Sequence, residues 1–248
     1  LGSIFSALWI VVANSWQQTP AGYHIVGMGA DARAEITSFM ELVFNPSSMA
    51  RLSHVLLGSL IQGAFFVMSI TAYYLLKCRH QNLARRAFVI GLFVATIASL
   101  AQLGTGHWSA KVVAKYQPPK LAAFEGLYKT TESAPLHLFG VTSDEEQRVK
   151  YGLAIPGMLS FLVHDNFKTS VEGLDQTPRE DWPPVQISFQ TYHLMVAMGM
   201  YYIAITLFSI FLLWRRKLFD QRWLLWVFVF SVVLPFITNE VGWVAAEV

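Results

Sequence analysis

The sequence predicts an all-α protein, a multi-pass bundle of membrane-spanning helices. Three observations support this. Of its 248 residues 54% are hydrophobic and only 14% are charged, whereas soluble domains carry about a quarter of charged residues. The mean hydropathy is positive, at +0.43. Apolar stretches of about 20 residues, the length that crosses a bilayer, recur along the chain.

We expect five spans, the first of them truncated. Basic residues set their orientation, because Lys and Arg concentrate in cytoplasmic links. The links 77–86 and 215–222 each carry four basic residues and at most one acid, whereas residues 105–185 carry eight basic and ten acidic residues. The two basic links are therefore predicted to be cytoplasmic, and residues 19–50 and 105–185 to face outward. The predicted spans are 1–16, 51–76, 86–103, 187–214 and 223–246.

This pattern divides the chain into three regions. Residues 1–104 hold the first three spans with an outer loop at 17–50, residues 105–185 form a long outer loop, and residues 186–248 hold a helix pair. Within the long loop, the apolar stretch 151–163 is a candidate short helix on the membrane surface or over the bundle. Because the chain begins and ends inside apolar stretches, we expect a fragment of a longer membrane protein.

The remaining composition excludes several classes of function. A single cysteine, Cys78, rules out an internal disulfide framework and CxxC metal or haem-attachment motifs. A net charge of +2 gives no indication of nucleic-acid binding.

Three side chains at similar predicted depth are candidate metal ligands: His54, Met195 and Glu240. An imidazole and a thioether together suit a low-spin haem iron. His54 and Met195 are each followed four residues later by a glycine, Gly58 and Gly199, which would clear one helix face for a flat macrocycle. An ionisable group such as Glu240 at membrane depth usually has a partner and a function.

Structural explanations compete with these assignments. A lone histidine near a helix end is often interfacial, a methionine in an apolar helix is usually packing, and the glycines suit ordinary helix contacts. Glu240 near a helix end is also compatible with an interfacial acid. His193 is a second candidate haem ligand, which leaves a bis-histidine cytochrome b open. A transporter or scaffold without a cofactor, in which Glu240 serves an ion path, is a further alternative.

Several stretches together resemble subunit I of the cytochrome bd-type quinol oxidases. The two most specific are Ala-Asn-Ser-Trp-Gln-Gln-Thr-Pro-Ala-Gly at 13–22 and Lys-Leu-Ala-Ala-Phe-Glu at 120–125. Phe-Asn-Pro at 44–46, His54, Met-Val-Ala-Met-Gly at 195–199 and Glu-Val-Gly-Trp at 240–243 add to them. The resemblance runs in order along essentially the whole chain.

This resemblance implies an enzyme that oxidises ubiquinol or menaquinol and reduces dioxygen to water without pumping protons. It implies a low-spin haem b held by His54 and Met195, and a high-spin haem b and a haem d with Glu240 as ligand or close neighbour. Lys120 and Glu125 match the quinol-oxidation residues at the start of the outer loop.

The resemblance also implies a second subunit and a location in the bacterial cytoplasmic membrane, with residues 105–185 on its outer side. The short separation of Glu125 and Met195 is similar to the short-loop branch, which includes cyanide-insensitive oxidases. The chain departs from the family pattern at four points. The high-spin haem ligands near the family's chain start and its Gly-Arg-Gln-Pro-Trp motif are absent, and His193 and His107 replace residues common in other members.

Overall fold

The computed structural model describes residues 2–248 as a helical bundle with a structured outer segment. Nine helices and two small antiparallel hairpins follow one another along the described chain. The order is α1 (Gly2–Gln18), β1 (Tyr23–Val26), β2 (Arg33–Ile36), α2 (Phe39–Val43), α3 (Ser48–Leu76), α4 (Gln81–Tyr116), α5 (Pro118–Glu125), β3 (Leu136–Ser143), β4 (Arg148–Ile155), α6 (Met158–His164), α7 (Val185–Trp214), α8 (Arg222–Phe230) and α9 (Leu234–Glu247).

Four helical stretches are long and apolar enough to cross a membrane: α3, α4, α7 and the combined stretch Arg222–Glu247. They match four of the five predicted spans. The first predicted span corresponds to α1, which has 17 described residues, with residue 1 outside the described range. The all-α class is therefore confirmed, and the strands are confined to the two small hairpins.

The core of the bundle is aromatic and lies where α3, α4, α7 and α8 meet. Phe88 of α4 packs edge-on against Phe228 of α8 with ring centroids 5.0 Å apart, and Phe65 of α3 lies 5.0 Å from Tyr202 of α7. Such tilted and T-shaped pairs add to the stabilisation from burial alone. Gly91 lets α4 approach α3 so closely that a Cβ there would lie 3.0 Å from Met68 Cγ.

The last membrane stretch is broken between α8 and α9. The break precedes Pro235, which has no backbone N–H and cannot continue a regular helix. Because the intervening residues are not helical, the Val229 carbonyl loses its usual donor, and Ser69 Oγ of α3 donates to it at 2.9 Å. Helix breaks at membrane depth are tolerated when a neighbouring helix supplies such a bond.

The outer segment is more ordered than a loop. Helix α4 continues to Tyr116, so the first part of residues 105–185 is helical, contrary to the predicted end of the span near residue 103. Hydropathy falls there but no proline interrupts the helix until Pro118, and helices usually end just before a proline. The predicted short helix at 151–163 is half strand β4 and half α6, because Pro156 and Gly157, with φ +71°, separate them.

Replacing Ser69 with alanine should destabilise the protein by about 1 kcal/mol, because it leaves the Val229 carbonyl without a donor in an apolar core. Thermal unfolding of the purified protein measures this loss. Ser59→Ala is the matched control, since Ser59 lies on the exposed side of α3 and bonds only to Val55 of its own helix. Equal effects of the two substitutions would contradict the role given to Ser69.

Candidate functional site

His54 lies two turns into α3 and faces α4. Its Nδ1 is 3.3 Å from the Thr105 hydroxyl, and its Cε1 lies 3.5 Å from where a Cβ on Gly106 would be. Within the described residues its Nε2 has no hydrogen-bond partner. Metal-bound histidines commonly have one ring nitrogen held by a protein oxygen and the other directed to the metal. The arrangement therefore suits His54 as a residue that could hold a metal through Nε2.

Met195 packs against α9 at a glycine. A Cβ on Gly242 would lie 2.9 Å from Met195 Sδ, so a larger residue there would force the thioether to shift. One turn earlier on α9, Asn239 Oδ1 lies 3.0 Å from the Cβ position of Gly58 on α3. Residues 239 and 242 lie on one face of α9. Thus Gly58, one turn after His54 on α3, and Met195 on α7 both contact the turn of α9 at residues 239–242.

The two predicted clearance glycines differ. A Cβ on Gly199 would meet nothing within 4 Å, so the face of α7 one turn from Met195 is open, as a macrocycle needs. The position beside Gly58 is instead filled by Asn239, which also donates to Gln62 Oε1 of α3. Together, a free imidazole nitrogen, a thioether and open space beside Gly199 fit a haem iron with histidine and methionine ligands.

Glu240 is exposed on α9, next to Asn239. Among residues 2–248 its carboxylate makes no hydrogen bond or ion pair. Its side chain is therefore separate from the described contacts of Met195 and Gly58, although it lies on the same turns of α9. Its predicted role beside a high-spin haem stays a prediction.

The position of His193 does not favour a bis-histidine haem. Its Nδ1 is 2.8 Å from the carbonyl of Phe189, and its Nε2 is 2.9 Å from the carbonyl of His137 in the outer segment. Both ring nitrogens thus face backbone oxygens, and a neutral ring can donate to one of them. Ligation of iron by either nitrogen would require the ring to move away from a backbone oxygen. His193 instead joins α7 to β3.

Lys120 occupies a polar cluster between α5, α1 and α9. Its Nζ donates to Gln18 Oε1 at 3.1 Å and to the Ala246 carbonyl at 2.7 Å. Burial, aided by the nearby positive charge of Arg51, lowers the pKa of Lys120 to about 8, and Glu247 acts in the opposite direction. The amine is therefore a hydrogen-bond donor whose charge is easily lost near neutral pH.

Glu125 is the most deeply buried carboxyl group of the outer segment. It is 1% exposed, at the end of α5, and within the described residues its Oε2 has no hydrogen-bond partner. Burial raises the pKa of Glu125 to about 8, partly opposed by the Tyr192 hydroxyl beside it. A buried carboxyl group that has a pKa of about 8, and one oxygen without a hydrogen-bond partner, is typical of a group that exchanges protons in a reaction.

Several residues of the site were not predicted from the sequence. Gln18 accepts hydrogen bonds from Lys120, Arg51 and Gln117, and is the common acceptor of the cluster. Tyr192 stacks on Phe124 with ring centroids 4.8 Å apart and closes the site around Glu125. The sequence signal for Gln18 was its place in the stretch 13–22 that carries the family resemblance. Its contact with Lys120 could not be predicted from that stretch, because the two residues lie about a hundred positions apart.

The stability of the protein should fall between about pH 5 and pH 8 because of Glu125. The pKa of Glu125 is about 8 in the folded protein, whereas the ordinary value for a glutamate, which applies to the unfolded chain, is 4.5. Between these values the folded protein retains a proton that the unfolded chain has released. The stabilisation is complete below the lower value and is lost as pH rises through the upper one, at up to about 1.4 kcal/mol per pH unit.

Thermal unfolding of wild type and Glu125→Gln across this pH range tests the assignment. The glutamine variant should lack this part of the slope and gain stability relative to wild type as pH rises. Glu132→Gln, at an exposed acid of the same segment, is the control. Parallel slopes for wild type and Glu125→Gln would contradict the burial effect.

The chain matches a family of known proteins. Residues 1–248 match the family described as cytochrome bd terminal oxidase subunit I. The chain is 35% identical over 255 residues to the putative cytochrome bd menaquinol oxidase subunit I of Bacillus subtilis (strain 168), covering 99% of this chain and 56% of that protein. It is 31% identical over 313 residues to the cytochrome bd-II ubiquinol oxidase subunit 1 of Escherichia coli (strain K12), covering 99% of this chain and 60% of the relative.

A solved structure agrees with these relatives. The bd oxidase from Geobacillus thermodenitrificans superposes with a TM-score of 0.90 at 33% identity, covering 100% of this chain and 56% of the other. The chain spans a little over half the length of the relatives it matches. It belongs to the family of cytochrome bd terminal oxidase subunit I.

Proposed function

We propose that this chain is part of the catalytic subunit of a bd-type terminal oxidase, which oxidises membrane quinol and reduces dioxygen to water. The observation that carries the proposal is the pairing of Lys120 and Glu125 on one short helix, α5, packed against α7, the helix of Met195. A proton-exchanging carboxyl and a donor amine therefore lie next to a helix equipped to hold a haem. The family membership supports the same activity.

The quinol site is assigned to Lys120 and Glu125. Oxidation of a quinol releases two electrons and two protons, so the site needs a group that accepts a proton near neutral pH. Glu125, with a pKa of about 8, matches this need when it is ionised. The Lys120 amine is positioned by Gln18 to donate a hydrogen bond to a quinol oxygen.

His54 and Met195 are proposed to hold a low-spin haem b. Bound there, the haem would accept electrons one at a time, and methionine ligation would keep its potential high enough to do so. Thr105 keeps the His54 ring oriented through Nδ1, and Gly242 keeps space for the Met195 thioether. These residues thus hold the two ligands in place, while Gly199 leaves the helix face open.

The finer assignments follow from the resemblance. A high-spin haem b and a haem d would complete the intact enzyme, with Glu240 beside the high-spin pair. A second membrane subunit is the expected partner, and the substrate is ubiquinol or menaquinol. The basic links at 77–86 and 215–222 support a bacterial cytoplasmic membrane location with the outer segment on the extracytoplasmic side.

Met195→Leu should remove the low-spin haem b signal from the reduced-minus-oxidised optical spectrum of the full-length protein, because leucine has no lone pair for iron. Met200→Leu, on the exposed side of α7, is the control and should leave the spectrum unchanged. A low-spin spectrum that survives in Met195→Leu would overturn the ligand pair and return His193 to consideration. A colourless wild-type protein would favour the alternative without a cofactor.

Lys120→Met and Glu125→Gln should each lower the rate of quinol-driven oxygen consumption by about a hundredfold or more, the usual contribution of acid–base groups. The haem spectra should stay unchanged, since neither residue is a ligand. Lys111→Met is the control, because Lys111 forms an exposed ion pair with Asp165 at 2.6 Å. Equal rates in Lys120→Met and Lys111→Met would contradict the assignment of the quinol site.

A further inference from the structure

The hairpin of β3 and β4, here called the outer hairpin (136–155), exposes an unusual amount of apolar surface. Phe139 and Leu153 face each other across the two strands and are 56% and 54% exposed. Water-facing hairpins normally bury one apolar face and cover the other with polar residues. Further large side chains at least 42% exposed are Leu138, Val141, Tyr151 and Ile155.

Three contacts fix how the outer hairpin lies along α7. The Thr142 amide donates to Gln186 Oε1 at 3.0 Å, Gln190 Nε2 donates to the Gly140 carbonyl at 2.7 Å, and His193 Nε2 is 2.9 Å from the His137 carbonyl. Positions descend along β3 as they ascend along α7. The strand therefore runs antiparallel to the helix, over its first three turns.

The depth of this contact can be read from α7 itself. Residues 194–213 contain no Asp, Glu, Lys, Arg or His. This length rises about 30 Å, the thickness of the hydrocarbon core. The turns that carry Gln186, Gln190 and His193 lie just outside it, in the interfacial layer. The open end of the hairpin, at His137, is level with the start of the hydrocarbon.

Charge on the outer hairpin follows the same axis. The charged side chains gather at its closed end, farthest from the hydrocarbon, where Glu146 pairs with both Arg148 and Lys150. Four of the exposed apolar residues, at 138, 139, 153 and 155, lie toward the open end, whereas Val141 and Tyr151 lie nearer the charged end. Polarity therefore changes along the strands rather than across them, in the direction that a membrane–water boundary imposes.

We infer that the outer hairpin is a lipid-contacting element, whose apolar end is inserted among the phospholipids of the leaflet at the amino end of α7. The surface continues onto α7, where Ile187 and Leu194 are 51% and 39% exposed. This inference rests on the proposed placement of α7 across a membrane, and it does not depend on oxidase activity.

The contact also has a position relative to the quinol site. His137 Nδ1 lies 3.1 Å from the Glu125 carbonyl, and Val149 covers Gly126 so closely that a Cβ there would lie 2.6 Å from Val149 Cγ2. In this arrangement one side of the outer hairpin covers Glu125 and the other side contacts lipid. A lipid-soluble quinol would reach the carboxyl from the lipid at its edge.

Depth-dependent fluorescence quenching tests the inference. The full-length protein with its partner subunit would be placed in lipid nanodiscs, with Cys78 replaced by serine and other reactive cysteines removed. An environment-sensitive fluorophore would be attached at Leu153→Cys or, on the facing strand, Phe139→Cys. Matched sites are Glu145→Cys in the charged turn and Phe208→Cys in the middle of α7, which is 43% exposed. Only variants that keep the wild-type haem spectrum would be compared.

Lipids carrying a nitroxide near the ester end of the acyl chain serve as quenchers. Fluorescence at 153 and 139 should fall by at least about twofold, as expected for side chains in the interfacial layer, while fluorescence at 145 should be nearly unaffected. Labels at 153 and 139 that behave like the label at 145 would overturn the inference. A second outcome would also overturn the inference. If the labels at 153 and 139 are shielded from water, are not quenched by the lipid nitroxides, and become exposed to water when the partner subunit is removed, this face of the hairpin contacts protein rather than lipid.

The site at 208 separates the inference from its premise. Quenching there with none at 153 and 139 would reject the hairpin contact alone. No quenching at 208 by nitroxides placed deeper in the chain would reject the membrane placement of α7, and the inference with it.

Discussion

Close helix contacts at glycine are the constraint on which the rest of the structure depends. Polar groups are costly in an apolar bundle unless partners lie within reach, and small residues let helix backbones approach closely enough to supply them. His54 lies against Gly106, Met195 against Gly242 and Asn239 against Gly58. Each of these contacts brings a side chain of one helix onto the backbone of another.

The sequence predicts the helices well because apolar length and basic links are local properties. The sequence does not predict those features of the fold that depend on contacts between residues distant along the chain. Helix α4 continues past its apolar part because nothing before Pro118 stops it, and hydropathy does not register a polar helix. The outer hairpin was missed for a related reason. In β3 the apolar residues do not alternate strictly with polar ones. In β4 the alternating apolar residues at 149, 151, 153 and 155 continue into α6, so residues 151–163 look like one apolar segment.

The candidate site shows the same division. His54, Met195, Lys120 and Glu125 could be proposed from residue type, order and family resemblance, and the structure gives each a surrounding consistent with its proposed role. The residues that contact these four side chains could not be predicted from the sequence. Thr105, Gly242 and Gln18 lie far from them along the chain, and their residue types do not indicate a particular contact. The glycines illustrate the limit. Spacing alone suggested clearance beside Gly58 as well as Gly199, but a side chain from α9 fills the first position.

The break between α8 and α9 divides the last membrane stretch into two parts with separate tasks. Helix α8 is anchored in the aromatic core through Phe228, whereas α9 carries Asn239, Glu240 and Gly242. A continuous helix would tie the rotation of the second half to the packing of the first. With the break, the packing of the core can change without rotating the face of α9 that carries Asn239 and Gly242, and that face can rotate without disturbing the core. The two halves are therefore free to change independently within one span.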